Sequence, residues 1–253
     1  MLWYTDKDNN SLYEISIGSE NGSVEANTNG AGMFAYLDNV STLDLSGLDT
    51  SNMTSMSRMF YKSTSLTNID LSGFDTSKVV NMYGMFWGCN NLKNIDVSNF
   101  NTKKVTTMVY MFRECNSLEK LNLSNFDTSN VTRMDSMFLY DGSLTNIDLS
   151  NFNTSKVTNM GDMFEECGQL TELDLSSFDT SNVKIMYYMF NRDKGLKTIY
   201  VSDKWNISNV TESAGMFANC TSLTGTVPFD STKTDITMAN YTNGYLTYKK
   251  NTN

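Results

Sequence analysis

The chain has 253 residues, enough for one large domain or two small ones, and its 28 acidic against 19 basic residues give a net charge of −9 and a pI near 4.5. That balance argues against a nucleic-acid partner, and no apolar run approaches the ~18 residues that would span a bilayer, so no membrane insertion is expected. Histidine is absent and the four cysteines form no Cys-x-x-Cys pair, which removes the usual zinc sites; neither a metal nor a cofactor is expected.

Residues 1–30 open with Trp3-Tyr4-Thr5, pass through a polar stretch from Asp6 to Asn10, and continue into Leu12-Tyr13-Glu14-Ile15-Ser16-Ile17. Two apolar runs about a polar tip predict a hairpin that caps the N-terminal end. Asp6-Lys7-Asp8-Asn9-Asn10 begins like a calcium loop. Ser11 stands where that loop needs Gly, however, and Ile17 where it needs Glu, so a solvated tip is expected. The first residues, Met1 to Asp6, lack the basic and apolar regions of a signal peptide, and Lys249 to Asn253 show no sorting motif.

From residue 31 to 222 one pattern recurs. The dipeptide Met-Phe occurs at 33, 59, 85, 111, 137, 163, 189 and 216, at intervals of 26 residues except for a last interval of 27. The extra residue falls near Asp203-Lys204. Eight phased copies define a solenoid, in which each coil buries its apolar face against the next.

Within one coil the apolar period changes. Leu66, Ile69 and Leu71 follow the L-x-x-L-x-L spacing of a leucine-rich-repeat strand, with alternate side chains inward. Phe74 follows, and then Val79, Met82, Met85, Phe86 and Cys89 recur at steps of three and four, the spacing of a short helix. Asp75-Thr76-Ser77 supplies candidate capping side chains, and Gly88 or Asn90 a stop. The expectation is therefore an α/β, right-handed, leucine-rich-repeat-like solenoid of about eight coils, with a parallel strand ladder lining a concave face and short helical turns on the other.

Several columns invite chemical readings. Fourteen of the 17 Met fall in the two columns of Met82 and Met85, which points to core packing over soft-metal binding. Cys89, Cys115, Cys167 and Cys220 share one column with Leu37, Ser63, Asp141 and Asp193. A buried small side chain at a helix end meets that demand, although adjacent coils would also bring Cys89 and Cys115 within reach of a disulfide. The column Asp49, Asp75, Asn101, Asp127, Asn153, Asp179 and Asn206 exchanges Asp for Asn, as turn-capping side chains do. Asn-Val-Thr at 130 and 209 fits a glycosylation acceptor but arises from the repeat.

Two surfaces are candidate ligand sites. Asp44, Asp70, Asp96, Asp148 and Asp174, with Asn122 among them, lie outward on successive strands about 4.8 Å apart. Like charges opposed across a sheet are destabilising. The column is therefore either a solubilising ladder, with raised pKa values or shared hydrogen bonds to the Ser46 to Ser202 column, or a surface for cationic ligands or divalent ions. The alternative is the aromatic exterior of the other face, centred on Tyr83, Trp87 and Tyr110, with Tyr61, Tyr140, Tyr187 and Tyr188 nearby.

Residues 223–253 lose the pattern and are expected to close the far end through Tyr241, Tyr245, Leu246 and Tyr248. No linker divides the chain, so residues 1–253 read as a single monomeric domain.

The frame Met-Phe-x-x-Cys-x-Ser-Leu-x-x-Leu-Asp-Leu-Ser-x-Phe-Asp-Thr-Ser-x-Val-Thr-x-Met, as at 111–134 with small departures, resembles the BspA-type leucine-rich repeats of bacterial surface proteins over roughly residues 31–222. That resemblance implies a secreted or wall-attached protein used in adhesion to host molecules or other microbes. It designates no catalytic residue. The functional expectation is a non-catalytic binding module for a protein or glycan. A passive spacer is the alternative, and a polysaccharide-acting enzyme the least favoured class, because such a site should break the repeat with unique charged residues.

Overall fold

The computed structural model describes residues 2–5, 11–18 and 22–250. Among them short strands run in chain order as β1 (Leu2–Thr5), β2 (Tyr13–Ile17), β3 (Val24–Glu25), β4 (Val40–Asp44), β5 (Leu48–Asp49), β6 (Asn68–Asp70), β7 (Lys120–Asn122), β8 (Asn146–Asp148), β9 (Glu172–Leu175), β10 (Thr198–Val201) and β11 (Thr247–Tyr248). β1 and β2 form the antiparallel N-terminal hairpin, with Leu2 opposite Ile17 and Thr5 opposite Glu14. Its tip, Asp6 to Asn10, which carried the calcium-loop question, lies outside the described residues. β2 then pairs in parallel with β4, so the hairpin joins the first coil through its second strand.

On the Leu-rich side the coils pair in parallel and in register: Leu43 faces Ile69, Leu121 faces Ile147, and Leu173 faces Ile199. Inward Ile69 and Leu71 are buried while Asn68 and Asp70 are exposed, the alternation a one-sided strand requires. This ladder is interrupted. β4–β6, β7–β8 and β9–β10–β11 pair, but no ladder pairing spans residues 93–97.

The continuous ladder lies on the Met-Phe side, where short helical turns were expected. Parallel bridges run without a break from Asn29 through Ser55, Asn81, Thr107, Arg133, Asn159 and Ile185 to Glu212. The backbone explains why no helix forms there. The N–H groups of Met56, Arg58, Phe60 and Lys62 donate to the carbonyls of Asn81, Tyr83, Met85 and Trp87 in the next coil, whereas those of Met59, Tyr61 and Ser63 close turns onto Met56, Arg58 and Phe60. Every second donor thus leaves the coil. Arg58 and Lys62 adopt φ of 54° and 53°, and the same two columns are left-handed in each later coil through Gly215 and Asn219. An α-helix keeps all its donors inside and tolerates no such residue every fourth position. Chained β-turns also repeat at three and four residues, which is how they imitate helical spacing in the sequence. The helical element present among the described residues is a single 3-10 turn at Ile236–Met238.

The core between the two sides is a set of stacks. Phe34, Phe60, Phe86, Phe112, Phe138, Phe164, Phe190 and Phe217 form one unbroken column with centroids 5.3–6.0 Å apart. Tyr245 closes it edge-on at 5.4 Å, fully buried, with its hydroxyl accepting from the Asp230 N–H at 2.8 Å. The four cysteines are free and buried, as the packing reading required, and join no disulfide.

Threonine supplies a second tie between coils. Thr76 Oγ1 donates to the Asn101 carbonyl at 3.1 Å and accepts from the Asn101 N–H at 2.7 Å. Thr50, Thr128, Thr154 and Thr180 do the same to Asp75, Asn153, Asp179 and Asn206. These threonines were candidate helix caps from sequence; they are buried links between neighbours. The neighbouring Asx column does cap turns: Asp75 Oδ1 accepts from the Ser77 N–H at 2.8 Å and Asp127 Oδ1 from Ser129 at 3.0 Å. The extra residue of the last interval is absorbed beyond Val201, where pairing still skips 26 residues but Thr180 reaches Asn206, one residue farther than its counterparts reach.

Candidate functional site

The carboxylate column is built as a row of turn caps. Asp44, Asp70, Asp96, Asp148 and Asp174 each accept at Oδ1 from the N–H two residues on, at Ser46, Ser72, Ser98, Ser150 and Ser176, over 2.9–3.0 Å. Asn122 Oδ1 likewise accepts from the Ser124 N–H at 3.0 Å, which accounts for its place in the column. Asp44 lies opposite Asp70, and Asn122 opposite Asp148, so successive groups do align. Of the two devices offered for tolerating the ladder, the shared hydrogen bonds with serine are present. The Ser72 and Ser98 hydroxyls and N–H groups hold the Asp70 and Asp96 carboxyls below the ordinary carboxylate range. Burial opposes the same effect at Asp174, where the Lys249 ammonium and Ser176 outweigh it. Lys249 Nζ lies 2.5 Å from Asp174 Oδ2, so a cation from the C-terminal segment already sits on this column.

The aromatic candidates fall into two groups. Trp87 packs 4.8 Å from Tyr61 and 4.9 Å from Tyr110, and Tyr110 lies 5.3 Å from Tyr83. Cations interleave these rings. Arg58 lies 4.9 Å from the Tyr83 centroid, and Arg113 lies 5.0, 5.3 and 5.5 Å from those of Trp87, Tyr110 and Tyr140. Tyr187 and Tyr188 serve differently: they cover Gly161 and Gly215, where an added Cβ would come within 2.9 and 2.4 Å of their rings.

Sequence reasoning missed the hollow beside Tyr140. Glu114, Asn116, Tyr140, Gly142, Ser143 and Glu166 line a shallow groove of about 570 Å³. It adjoins, through Gly142 and Glu166, a second of about 730 Å³ that is bounded by Gly168, Gln169, Arg192 and Lys194. Acceptors and donors thus face one another around an aromatic ring, and an Arg192–Glu166 ion pair braces one wall. The signal lay in the turn columns, where Gly142 and Gly168 keep the floor low beside long polar neighbours.

Acidic groups flank this face. Asp162 is half-buried; burial first, and then the charge of Glu165 and a hydrogen bond with it, push its carboxyl up to about 7. The thiol of Cys89 is pushed up to about 12 by burial, which makes it a poor nucleophile. Among the described residues no group of three His, Cys, Asp or Glu is placed to hold a metal ion, and no helix is long and apolar enough to cross a membrane. The asparagines of the two Asn-Val-Thr motifs spend their amides between coils, Asn130 on the Lys103 carbonyl and Asn209 on that of Ser181.

The sequence matches the model of a family described as a Mycoplasma protein of unknown function, DUF285, over residues 28–140 and again over 114–230. No curated protein matches it. Solved structures similar to it include a leucine-rich repeat protein from Bacteroides ovatus, 15% identical, covering 88% of this chain and 80% of that one with a TM-score of 0.42. Another is the T. pallidum leucine-rich repeat protein, 19% identical, covering 89% of each chain with a TM-score of 0.47.

Proposed function

We propose that this chain, which belongs to the DUF285 family, is a non-catalytic binding module of a bacterial surface protein that takes a protein or glycan of host or microbial origin on its Met-Phe side. The observation that carries the reading is the position of Arg113. Its guanidinium lies over Trp87, Tyr110 and Tyr140 at once, and so joins the aromatic cluster to the polar groove. Aromatic and arginine side chains concentrate binding energy where they are held rigidly, and both are fixed here by neighbouring coils. The groove adds facing donors and acceptors, the mixture that orients a polar ligand. The carboxylate column is the second reading, supported by Lys249 on Asp174; its ligand would be cationic.

The test begins with the chain screened on arrays of glycans and surface proteins. For any specific ligand, Tyr140→Ala and Arg113→Ala should each weaken binding roughly 10-fold or more, a typical loss for an interface anchor. The change of Asp70, Asp96, Asp148 and Asp174 together to Asn should leave it intact. The reverse pattern would move the site to the carboxylates. Silence on every panel would favour a spacer, and turnover of a glycan an enzyme.

A further inference from the structure

Directly behind the groove runs a buried column. Gly142, Gly168 and Lys194 of its floor each follow a member: Asp141, Cys167 and Asp193. Those three are fully buried, as are Ser63, Cys89, Cys115 and Cys220 of the same column. Its thiols and hydroxyl share one arrangement. Each donates to the carbonyl of a Phe in the preceding coil: Ser63 to Phe34 at 2.8 Å, Cys89 to Phe60 at 3.2 Å, Cys115 to Phe86 at 3.3 Å, Cys167 to Phe138 at 3.0 Å and Cys220 to Phe190 at 2.8 Å. Ser63 Oγ also accepts from the Leu37 N–H at 3.2 Å.

Asp141 and Asp193 repeat the accepting half of this pattern. Their Oδ1 atoms take the N–H of Cys115 at 2.8 Å and of Cys167 at 2.7 Å. Their Oδ2 atoms are buried and, as carboxylate oxygens, have no partner. By the column's 29-residue step, the carbonyls facing them belong to Phe112 and Phe164. An ionised Oδ2 would set a charge against a carbonyl lone pair in a dry interior; a protonated Oδ2 completes the donor row its neighbours form.

We propose that Asp141 and Asp193 are carried in the folded chain as neutral acids that donate from Oδ2 to the Phe112 and Phe164 carbonyls, and that losing these protons loosens the coils behind the groove. Every charged group facing them opposes ionisation: Glu114 beside Asp141, and Glu165 and Glu166 beside Asp193. The remaining titratable neighbours are the thiols of Cys115, Cys167 and Cys220, themselves raised by burial. Burial, the first cause, pushes both carboxyls well above the ordinary range. The sign follows by linkage. A folded value above the unfolded one gives stability that is complete below about pH 4 and lost as pH rises through the folded value. The solenoid is therefore acid-stabilised at the groove, the reverse of its turn-capping aspartates.

Thermal melts of the full chain from about pH 5 to about pH 9 test this, with Asp141→Asn/Asp193→Asn as the comparison. Between those limits the folded-to-unfolded ratio should fall by up to ~10-fold per pH unit for each acid until its folded value is passed. The Asn pair can donate from Nδ2 and accept at Oδ1, so it should fold and lose most of that slope, with Asp162 beside Glu165 and, above about pH 8, the four buried thiols supplying the remainder. Infrared spectra of protein labelled with 13C-aspartate give a readout independent of the Asn pair: a protonated-carboxyl band should be present at neutral pH in Asp162→Asn as well as in wild type, since Asp162 itself titrates in that range. A melting temperature that is flat or rising over this range, an undiminished slope in the Asn pair, or absence of the band would each overturn the proposal. Should the Asn pair fail to fold, Asp141→Cys/Asp193→Cys places the commonest residue of the column there and must then melt with the reduced slope below about pH 8, where unfolded thiols are still protonated.

Discussion

Replacing Thr128 by Val keeps the shape of a fully buried side chain and removes its hydroxyl alone. That hydroxyl donates to the Asn153 carbonyl at 3.0 Å and accepts from the Asn153 N–H at 2.8 Å, so one atom serves both backbone groups of one residue in the next coil. Each stranded group should cost ~1–3 kcal/mol, and relief from burying a hydroxyl returns part of it, leaving a net loss of ~2–4 kcal/mol. Thr128→Ser retains the hydroxyl and deletes one methyl, for ~1 kcal/mol plus a small cavity. The order of the two is the discriminating result. Denaturant unfolding should rank Val well below Ser, and amide exchange at Asn153 should accelerate in Val alone. Equal costs, or a Ser variant weaker than Val, would show that the methyl packing matters and the hydroxyl link does not.

Phe86→Ala removes a ring stacked at 5.3 and 5.6 Å between Phe60 and Phe112 and should cost ~3–5 kcal/mol in denaturant unfolding, opening the array from its middle. Adding reductant to the native protein should leave its melting temperature unchanged, since the four thiols are free; a large drop would contradict that. Changing Asp70, Asp96, Asp148 and Asp174 to Asn should preserve the fold, because Asn122 already makes the same cap. Asp70 and Asp96 have carboxyls held low by serine donors, so their contribution is present above about pH 4 and fades as pH falls through the lower folded value. The four-Asn variant should accordingly lose less stability than wild type in acid melts.

The repeating solenoid was legible because burial acts column by column: Met85, Phe86 and Leu71 recur wherever the interior demands them. The chained turns were not. Their left-handed positions include Arg58, Lys62, Tyr110 and Glu114, residues with no preference for that conformation, and the hints were confined to Gly32, Gly84, Gly88 and Gly215 with Asp162 and Asn219. Hydrogen bonds to the next coil override local preference there, and such bonds leave no trace in one coil's own sequence. Thr76 was misplaced for the same reason, since its partner Asn101 lies a whole coil away. Asp141 and Asp193 were visible as departures from Cys in a column read as buried, but that two acids are enclosed there completely, each with one oxygen unpaired, was not legible from the column alone.

The outward donors of the Met-Phe side also govern how such a protein can change over evolutionary time. Each coil offers its successor the same row of N–H groups that its predecessor offered it, so the join between any two coils is interchangeable with the next join along. In-frame duplication or loss of one whole coil leaves every join satisfied, whereas a shorter insertion must be hidden where the bonding is slack, as beyond Val201. Reach is therefore heritable in whole-coil increments. A lineage could lengthen or shorten its Met-Phe face by recombination within one gene, without a point mutation in any coil.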